Sequence, residues 1–194
     1  VARQCGVPLT VVELNTLENE AVAANGPDRC YHCKRMLFSA LRDKAASDGY
    51  TLLIDGTNAS DDGADRPGMR ALQELLVRSP LRECGLTKQD VRRMSRLAGL
   101  PTWDKPAYAC LATRVPTGTA LTADALQAVE RAEEALYQMG FRDFRVRVRG
   151  QSALVQLTAE QFPMAAARRD ELLWRLRLFF REAALDLAPR TPSM

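Results

Sequence analysis

The chain has 194 residues, of which 46% are hydrophobic and 26% charged. That is close to the average of soluble globular proteins and argues against disorder, and the apolar runs are too short for a membrane-spanning helix. Basic residues number 27 and acidic residues 24, and the resulting net charge of +3 is too mild to point to nucleic acid by itself.

The five cysteines are Cys5, Cys30, Cys33, Cys84 and Cys110. An odd count without a signal-peptide pattern does not read as a secreted disulfide framework, and a reducing, cytoplasmic setting fits better. Val1–Gly6 reads as the tail of a helix, so the chain opens in mid-pattern and an N-terminal part is expected to be missing.

In chain order, Pro8–Leu14 reads as a buried strand and Asn25–Asp28 as a turn. Cys30–Ala46 has helical periodicity, with Met36, Leu37, Ala40 and Leu41 on one face and Gly49 as its stop. Thr51–Ile54 reads as a second buried strand and Gly68–Val77 as a helix. Thr87 opens another helix with Asp90 completing a capping box, and Val91, Met94, Leu97 and Ala98 form its apolar face. Strands alternating with helices predict an α/β domain with a parallel sheet.

Leu100–Pro116 is a connector with three prolines, and reads as a hinge or site loop. Beyond it, Thr122 caps a helix that runs to Met139 and stops at Gly140, with Val129, Ala132, Leu136 and Met139 as its stripe. Phe144–Arg149 alternates apolar residues with arginines, Gly150–Gln151 is a hairpin turn and Ala153–Leu157 the returning strand. A helical region from Thr158, clearest over Glu171–Phe179, and a last strand over Ala183–Leu187 complete a small α+β domain.

Four constellations carry chemistry. The loop Asp55–Asp62 follows a strand end, where open parallel sheets bind ligands, although it also reads as a solvated acidic loop. Cys30-Tyr31-His32-Cys33 fits a metal knuckle, a redox pair or two helix-packing thiols. Cys110 stands in the connector between Lys105 and Arg114, which favour a thiolate, but equally reads as a core cysteine in Ala-Cys-Leu-Ala. Arg145, Arg147 and Arg149 share one strand face, suited to carboxylates or phosphates, or to pairing with Glu130, Glu133 or Glu134 of the preceding helix.

Five motifs occur in order: Asn-Gly-Pro-Asp-Arg-Cys-Tyr-His-Cys-Lys (25–34), Asp-Gly-Thr-Asn-Ala-Ser-Asp-Asp (55–62), Arg-Pro-Gly-Met-Arg-Ala (66–71), Ser-Pro-Leu-Arg-Glu-Cys-Gly-Leu-Thr-Lys (79–88) and Leu-Pro-Thr-Trp-Asp-Lys-Pro-Ala-Tyr-Ala-Cys-Leu-Ala-Thr-Arg-Val-Pro (100–116). Together they resemble the ATP-dependent sacrificial sulfur transferases of the LarE family, which are PP-loop pyrophosphatases. The resemblance implies a Rossmann-like α/β domain of PP-loop ATPase type over 1–104, present in part, and a connector with a C-terminal α+β sulfur-transfer domain over 105–194. It implies an enzyme that adenylates a carboxylate of a pyridinium mononucleotide, with ATP and Mg2+ as cosubstrate. Sulfur delivery then gives a thiocarboxylate on the way to the nickel-pincer nucleotide of lactate racemase.

By that resemblance Cys110 is the sulfur donor, left as dehydroalanine, and Glu133 is a second catalytic residue. Arg114, Arg145 and Arg147 bind the substrate, and Asp55, Asn58 and Asp62 line the nucleotide side. The five residues Cys110, Arg114, Glu133, Arg145 and Arg147 are expected to converge on one cleft where the two halves meet. No resident metal is expected; the alternative branch holds a [4Fe-4S] cluster on Cys30, Cys33 and Cys110. The family's Ser-Gly-Gly-x-Asp-Ser pyrophosphate loop does not occur in these residues, so the chain alone is expected not to adenylate. Another PP-loop enzyme, such as a tRNA thiolase or an amidotransferase-type synthetase, is the second enzyme reading, and a zinc-binding interaction module on Cys30 and Cys33 is the non-enzyme one. The expected setting is cytoplasmic, as a homo-oligomer acting on a small molecule, without membrane or nucleic-acid partner.

Overall fold

The structure, a computed structural model, describes residues 1–61, 67–106 and 108–191. It is mixed α/β and divides into two compact units, Val1–Lys105 and Pro106–Met194.

The first unit contains α1 (Ala2–Cys5), α2 (Glu20–Ala23), α3 (Arg29–Ser47), α4 (Pro67–Glu74), α5 (Pro80–Glu83) and α6 (Lys88–Leu97). Helix α3 ends where Gly49 takes a left-handed φ of 85°, a conformation glycine adopts without the clash of a Cβ. Helix α4 packs on α3, and Met69, Leu72 and Val77 form a core with Phe38, Leu53 and Leu75. The approach is close: a Cβ on Gly68 would lie 3.0 Å from Cδ of Lys34. Thr87 and Asp90 form the expected capping box at the start of α6.

Two expectations for this unit fail. Pro8–Leu14 belongs to no strand, and Leu9 and Val11 are exposed. Thr51–Ile54 is not a buried strand, since Leu52 and Ile54 are exposed and only Ile54 makes a parallel bridge, to Arg78. That bridge rests on Asp55 N donating to Arg78 O at 2.9 Å and Arg78 N donating to Leu53 O at 3.0 Å. An apolar run becomes a strand only when a neighbour takes its backbone groups and covers its faces, and among the described residues of this unit one bridge is the extent of such pairing. The expected helix α6 does form, and Met94 and Leu97 of its apolar face are exposed.

The second unit holds a 3-10 turn (Leu111–Arg114), α7 (Ala123–Gln138), β1 (Arg145–Arg149), β2 (Ser152–Gln156), α8 (Phe162–Ala167), α9 (Arg169–Arg177) and β3 (Glu182–Leu185). The Thr122 hydroxyl accepts from Ala125 N at 3.1 Å to cap α7, and Gly140 leaves it with a φ of 95°. Strands β1 and β2 pair antiparallel through the Gly150 turn, and β3 adds parallel to β2. Alternation along β1 and β2 puts Val146, Val148, Ala153 and Val155 on the buried side, where α7 supplies Val129, Ala132 and Leu136 and α9 supplies Leu172 and Leu176. Burial of each large apolar side chain of this set is worth roughly 1.5–3 kcal/mol, which fixes the sheet register. The opposite side carries Arg145, Arg147 and Gln156. Among the described residues no helix is long and apolar enough to cross a membrane.

Candidate functional site

In the second unit the site is assembled around Arg114. Its Nε donates to Glu133 Oε1 at 2.6 Å and its Nη2 to Oε2 at 3.2 Å, while Nη1 donates to the Thr113 hydroxyl at 2.8 Å. Both side chains of the ion pair are withdrawn from water, at 1% and 3% exposure. Glu133 lies one turn after Val129 and next to Ala132, so the helical period turns it inward with the apolar stripe. Its Oε1 also accepts from Val146 N at 3.0 Å, which supplies the β1 edge with a partner that, among the described residues, no strand provides there.

Tyr108 lies over this pair. Its ring centroid is 5.4 Å from Cζ of Arg114 and 5.9 Å from Cζ of Arg145. The residue as a whole is 60% exposed, yet partial loss of water around the phenol first, and then the hydrogen bond to and charge of Glu133, push it up to about 12. Cys110 follows two residues later and is exposed. Its carbonyl accepts from Thr113 N at 3.0 Å and from the Thr113 hydroxyl at 2.7 Å, so the cysteine opens a hydrogen-bonded turn that ends in Arg114.

Arg147 ties this turn to the sheet. Its Nη1 donates to Thr113 O at 2.9 Å and its Nε to Gln156 Oε1 at 2.6 Å. Arg145 is buried; its Nη1 donates to Phe144 O at 2.6 Å and lies 3.9 Å from Asp143 Oδ1, which also takes Arg190 Nη2 at 3.2 Å. Burial, and then the charges of Arg114 and Arg190, lower the pKa of both Arg145 and Arg147. Guanidiniums remain protonated regardless, so the lowering marks partial loss of water around both groups first and their positive neighbours second.

In the first unit, the Asp55 loop leaves the Ile54–Arg78 bridge. Asp55 Oδ1 accepts from the Ser79 hydroxyl at 2.6 Å, and Oδ2 accepts from the Thr57 hydroxyl at 2.5 Å. Burial raises the Asp55 carboxyl, but hydrogen bonds from Ser79 and Thr57 and the charge of Lys34 outweigh it and hold it below its ordinary value. Asn58 Oδ1 accepts from Ser60 N at 3.0 Å, closing the loop on itself, and Ala59 N donates to Leu86 O at 2.7 Å. Asp62 lies outside the described residues.

Cys30 and Cys33 stand in the first turns of α3, where Arg29 Nη2 donates to Cys30 Sγ at 3.4 Å. Among the described residues no three His, Cys, Asp or Glu side chains gather as a metal site.

Thus Arg114, Glu133, Arg147 and the Cys110 turn join one hydrogen-bonded network, and Arg145 adjoins it through Tyr108. Arg114 directs three of its nitrogens into protein partners, and Glu133 is occupied by Arg114 and Val146. The sequence assigns no role to Tyr108, Thr113, Gln156 and Arg190, which the structure adds to the site. Gln156 had a signal, since the period of β2 puts it on the arginine side of the sheet. Arg190 is 47 residues from its partner Asp143, and nothing local marks the pair.

No family model matches the chain. An uncharacterized protein of Synechocystis sp. is 41% identical over 160 residues, which cover 82% of this chain and 60% of the relative. An uncharacterized protein of Methanocaldococcus jannaschii is 29% identical over 146 residues, 75% of this chain and 57% of the relative. The chain thus spans less than two thirds of the length of those two relatives. The pyridinium-3,5-bisthiocarboxylic acid mononucleotide synthase of Lactiplantibacillus plantarum is 34% identical over 188 residues, 96% of this chain and 68% of that enzyme. At that identity and coverage, the chain belongs to the pyridinium-3,5-bisthiocarboxylic acid mononucleotide synthase family, the LarE family.

Proposed function

We propose that the full-length gene product is an ATP-dependent sulfur transferase that converts a carboxylate of a pyridinium mononucleotide into a thiocarboxylate, for a nickel-pincer nucleotide. The single observation that carries the reading is the exposed Cys110 at the head of a turn anchored by the buried Arg114–Glu133 pair and by Arg147. Similarity to a synthase of a bisthiocarboxylic acid mononucleotide supports it.

The first unit is taken as the nucleotide-binding unit of PP-loop type, with Asp55, Asn58 and Asp62 on the side of ATP and its Mg2+. The substrate carboxylate attacks the α-phosphorus of ATP, giving an acyl adenylate and pyrophosphate. The Cys110 thiolate then attacks the acyl carbon and AMP leaves, forming a thioester. Removal of the Cys110 Cα proton with cleavage of its Cβ–S bond releases the thiocarboxylate and leaves dehydroalanine. Arg145 and Arg147 meet the substrate's anionic groups, by charge-assisted hydrogen bonds. Arg114 and Glu133 neutralise each other in this geometry, so we assign them to holding the Cys110 turn rather than to touching substrate. The enzyme is read as cytoplasmic and homo-oligomeric.

The test is peptide mass spectrometry of the full-length gene product after a single turnover. The Cys110 peptide should become lighter by the mass of one hydrogen sulfide, roughly 34 Da, as thiolate elimination requires. An unchanged Cys110 mass together with bound iron would assign the sulfur to a [4Fe-4S] cluster on Cys30, Cys33 and Cys110 instead.

A further inference from the structure

A line of hydrogen bonds crosses the polar side of the sheet, and its outer members, Gln156 and Asp186, have no role in the chemistry above. Asp186 Oδ2 accepts from Gln156 Nε2 at 2.8 Å, and Gln156 Oε1 accepts from Arg147 Nε at 2.6 Å. Arg147 Nη1 donates to Thr113 O at 2.9 Å, and the Thr113 amide and hydroxyl both donate to Cys110 O. The line begins just past β3, where Asp186 N donates to Val155 O at 2.9 Å, passes through β2 and β1, and ends on the Cys110 turn.

A glutamine amide has a donor end and an acceptor end, and its orientation is decided by its neighbours. Here charge decides it. An ionised Asp186 only accepts and Arg147 only donates, so Gln156 must turn its NH2 to Asp186 and its oxygen to Arg147. The Asp186 carboxyl is kept below its ordinary value by the Gln156 hydrogen bond first, then by the Ala188 amide, with Arg149 and Arg147 adding attraction. With Nε engaged by Gln156, the guanidinium plane of Arg147 is fixed and its Nη1 is aimed at Thr113.

We propose that Gln156 and Asp186 are positioning residues of the sulfur-transfer site: they set the orientation of Arg147 and, through Thr113, hold the turn that presents Cys110. The proposal rests on the reading of Cys110 as sulfur donor. Neither residue touches the reacting atoms; each acts through Arg147.

The test compares Gln156→Met, which keeps the length of the side chain but neither hydrogen bond, with the double exchange Gln156→Glu plus Asp186→Asn. The double variant restores the pattern with donor and acceptor swapped: the new amide at position 186 donates, the new carboxylate at position 156 accepts, and Arg147 keeps an acceptor. In the full-length gene product, amide hydrogen exchange over residues 108–116 reads the turn, and thiocarboxylate formation reads the chemistry. Gln156→Met should exchange faster over the turn by roughly threefold or more, the scale of coupling within one hydrogen-bonded network. Peptides of α3 should stay unchanged. The single-turnover rate of thiocarboxylate formation should fall by a similar factor, with the ATP concentration giving half that rate unmoved, and the double exchange should recover both the exchange and the rate. Unaltered exchange over the turn in a folded Gln156→Met protein, or no recovery in the double exchange, would overturn the proposal. Altered and recovered exchange in a protein whose wild type makes no thiocarboxylate would support the coupling and fault the sulfur-transfer reading alone.

Discussion

Arg114 and Glu133, 19 residues apart, meet in a two-point ion pair at 2.6 and 3.2 Å with both side chains almost wholly buried. Such a pair offsets the cost of taking two charges out of water only while both partners are present. Removing one leaves the other uncompensated. Glu133→Ala should therefore destabilise the protein by about 3–5 kcal/mol, whereas replacing both residues with apolar ones of similar size should cost far less. Denaturant unfolding of the two variants checks this, and equal losses would contradict it.

Cys110→Ala should abolish thiocarboxylate formation in the full-length gene product while pyrophosphate release from ATP continues, because the thiol enters only after adenylation. Parallel assays of pyrophosphate and thiocarboxylate separate the two steps. Residual thiocarboxylate from the alanine variant would remove Cys110 as donor.

Tyr108 should remain a phenol at the ordinary phenol value of 10.0, since partial loss of water and Glu133 push it to about 12. A folded value raised in this way contributes stability that is fully present below 10.0 and is lost as pH rises through the folded value. Phenolate absorbance of the wild type minus that of Tyr108→Phe isolates this one tyrosine. Substituting Glu133→Gln should bring its titration back toward the ordinary value.

Asp55 gives the opposite sign. Its folded value is depressed, so its contribution is present above the ordinary carboxylate value of 3.8 and is lost as pH falls through the depressed one. Asp55→Asn should flatten that acid limb and cost on the order of 1 kcal/mol near neutral pH, the usual net worth of such hydrogen bonds. Denaturation midpoints of wild type and variant at neutral and acid pH make the comparison.

Gly68→Ala should destabilise the first unit modestly, because the added Cβ would lie 3.0 Å from Cδ and 3.2 Å from Cε of Lys34, so that side chain must shift. A thermal midpoint unchanged from wild type would show that the lysine moves freely.

The sequence by itself determined the elements whose causes are local. Helix α7 between Thr122 and Gly140, the Thr87–Asp90 capping box, the Gly150 hairpin and the alternation of β1 all follow from caps, left-handed turns and side-chain period, which act within a few residues. The same reasoning misjudged Pro8–Leu14 and Thr51–Ile54, because apolar composition says that a face wants cover and not that a partner supplies it. The tertiary structure alone decided which arginine takes Glu133. Spacing left Arg145, Arg147 and Arg149 as candidates, yet Glu133 turns inward and is met by Arg114. It likewise decided that Arg147 is clasped between Thr113 and Gln156, respectively 34 and 9 residues away in the chain. Buried charges and amides take whichever partner the packing brings within about 3 Å, and packing is a property of the whole unit rather than of any stretch of its sequence.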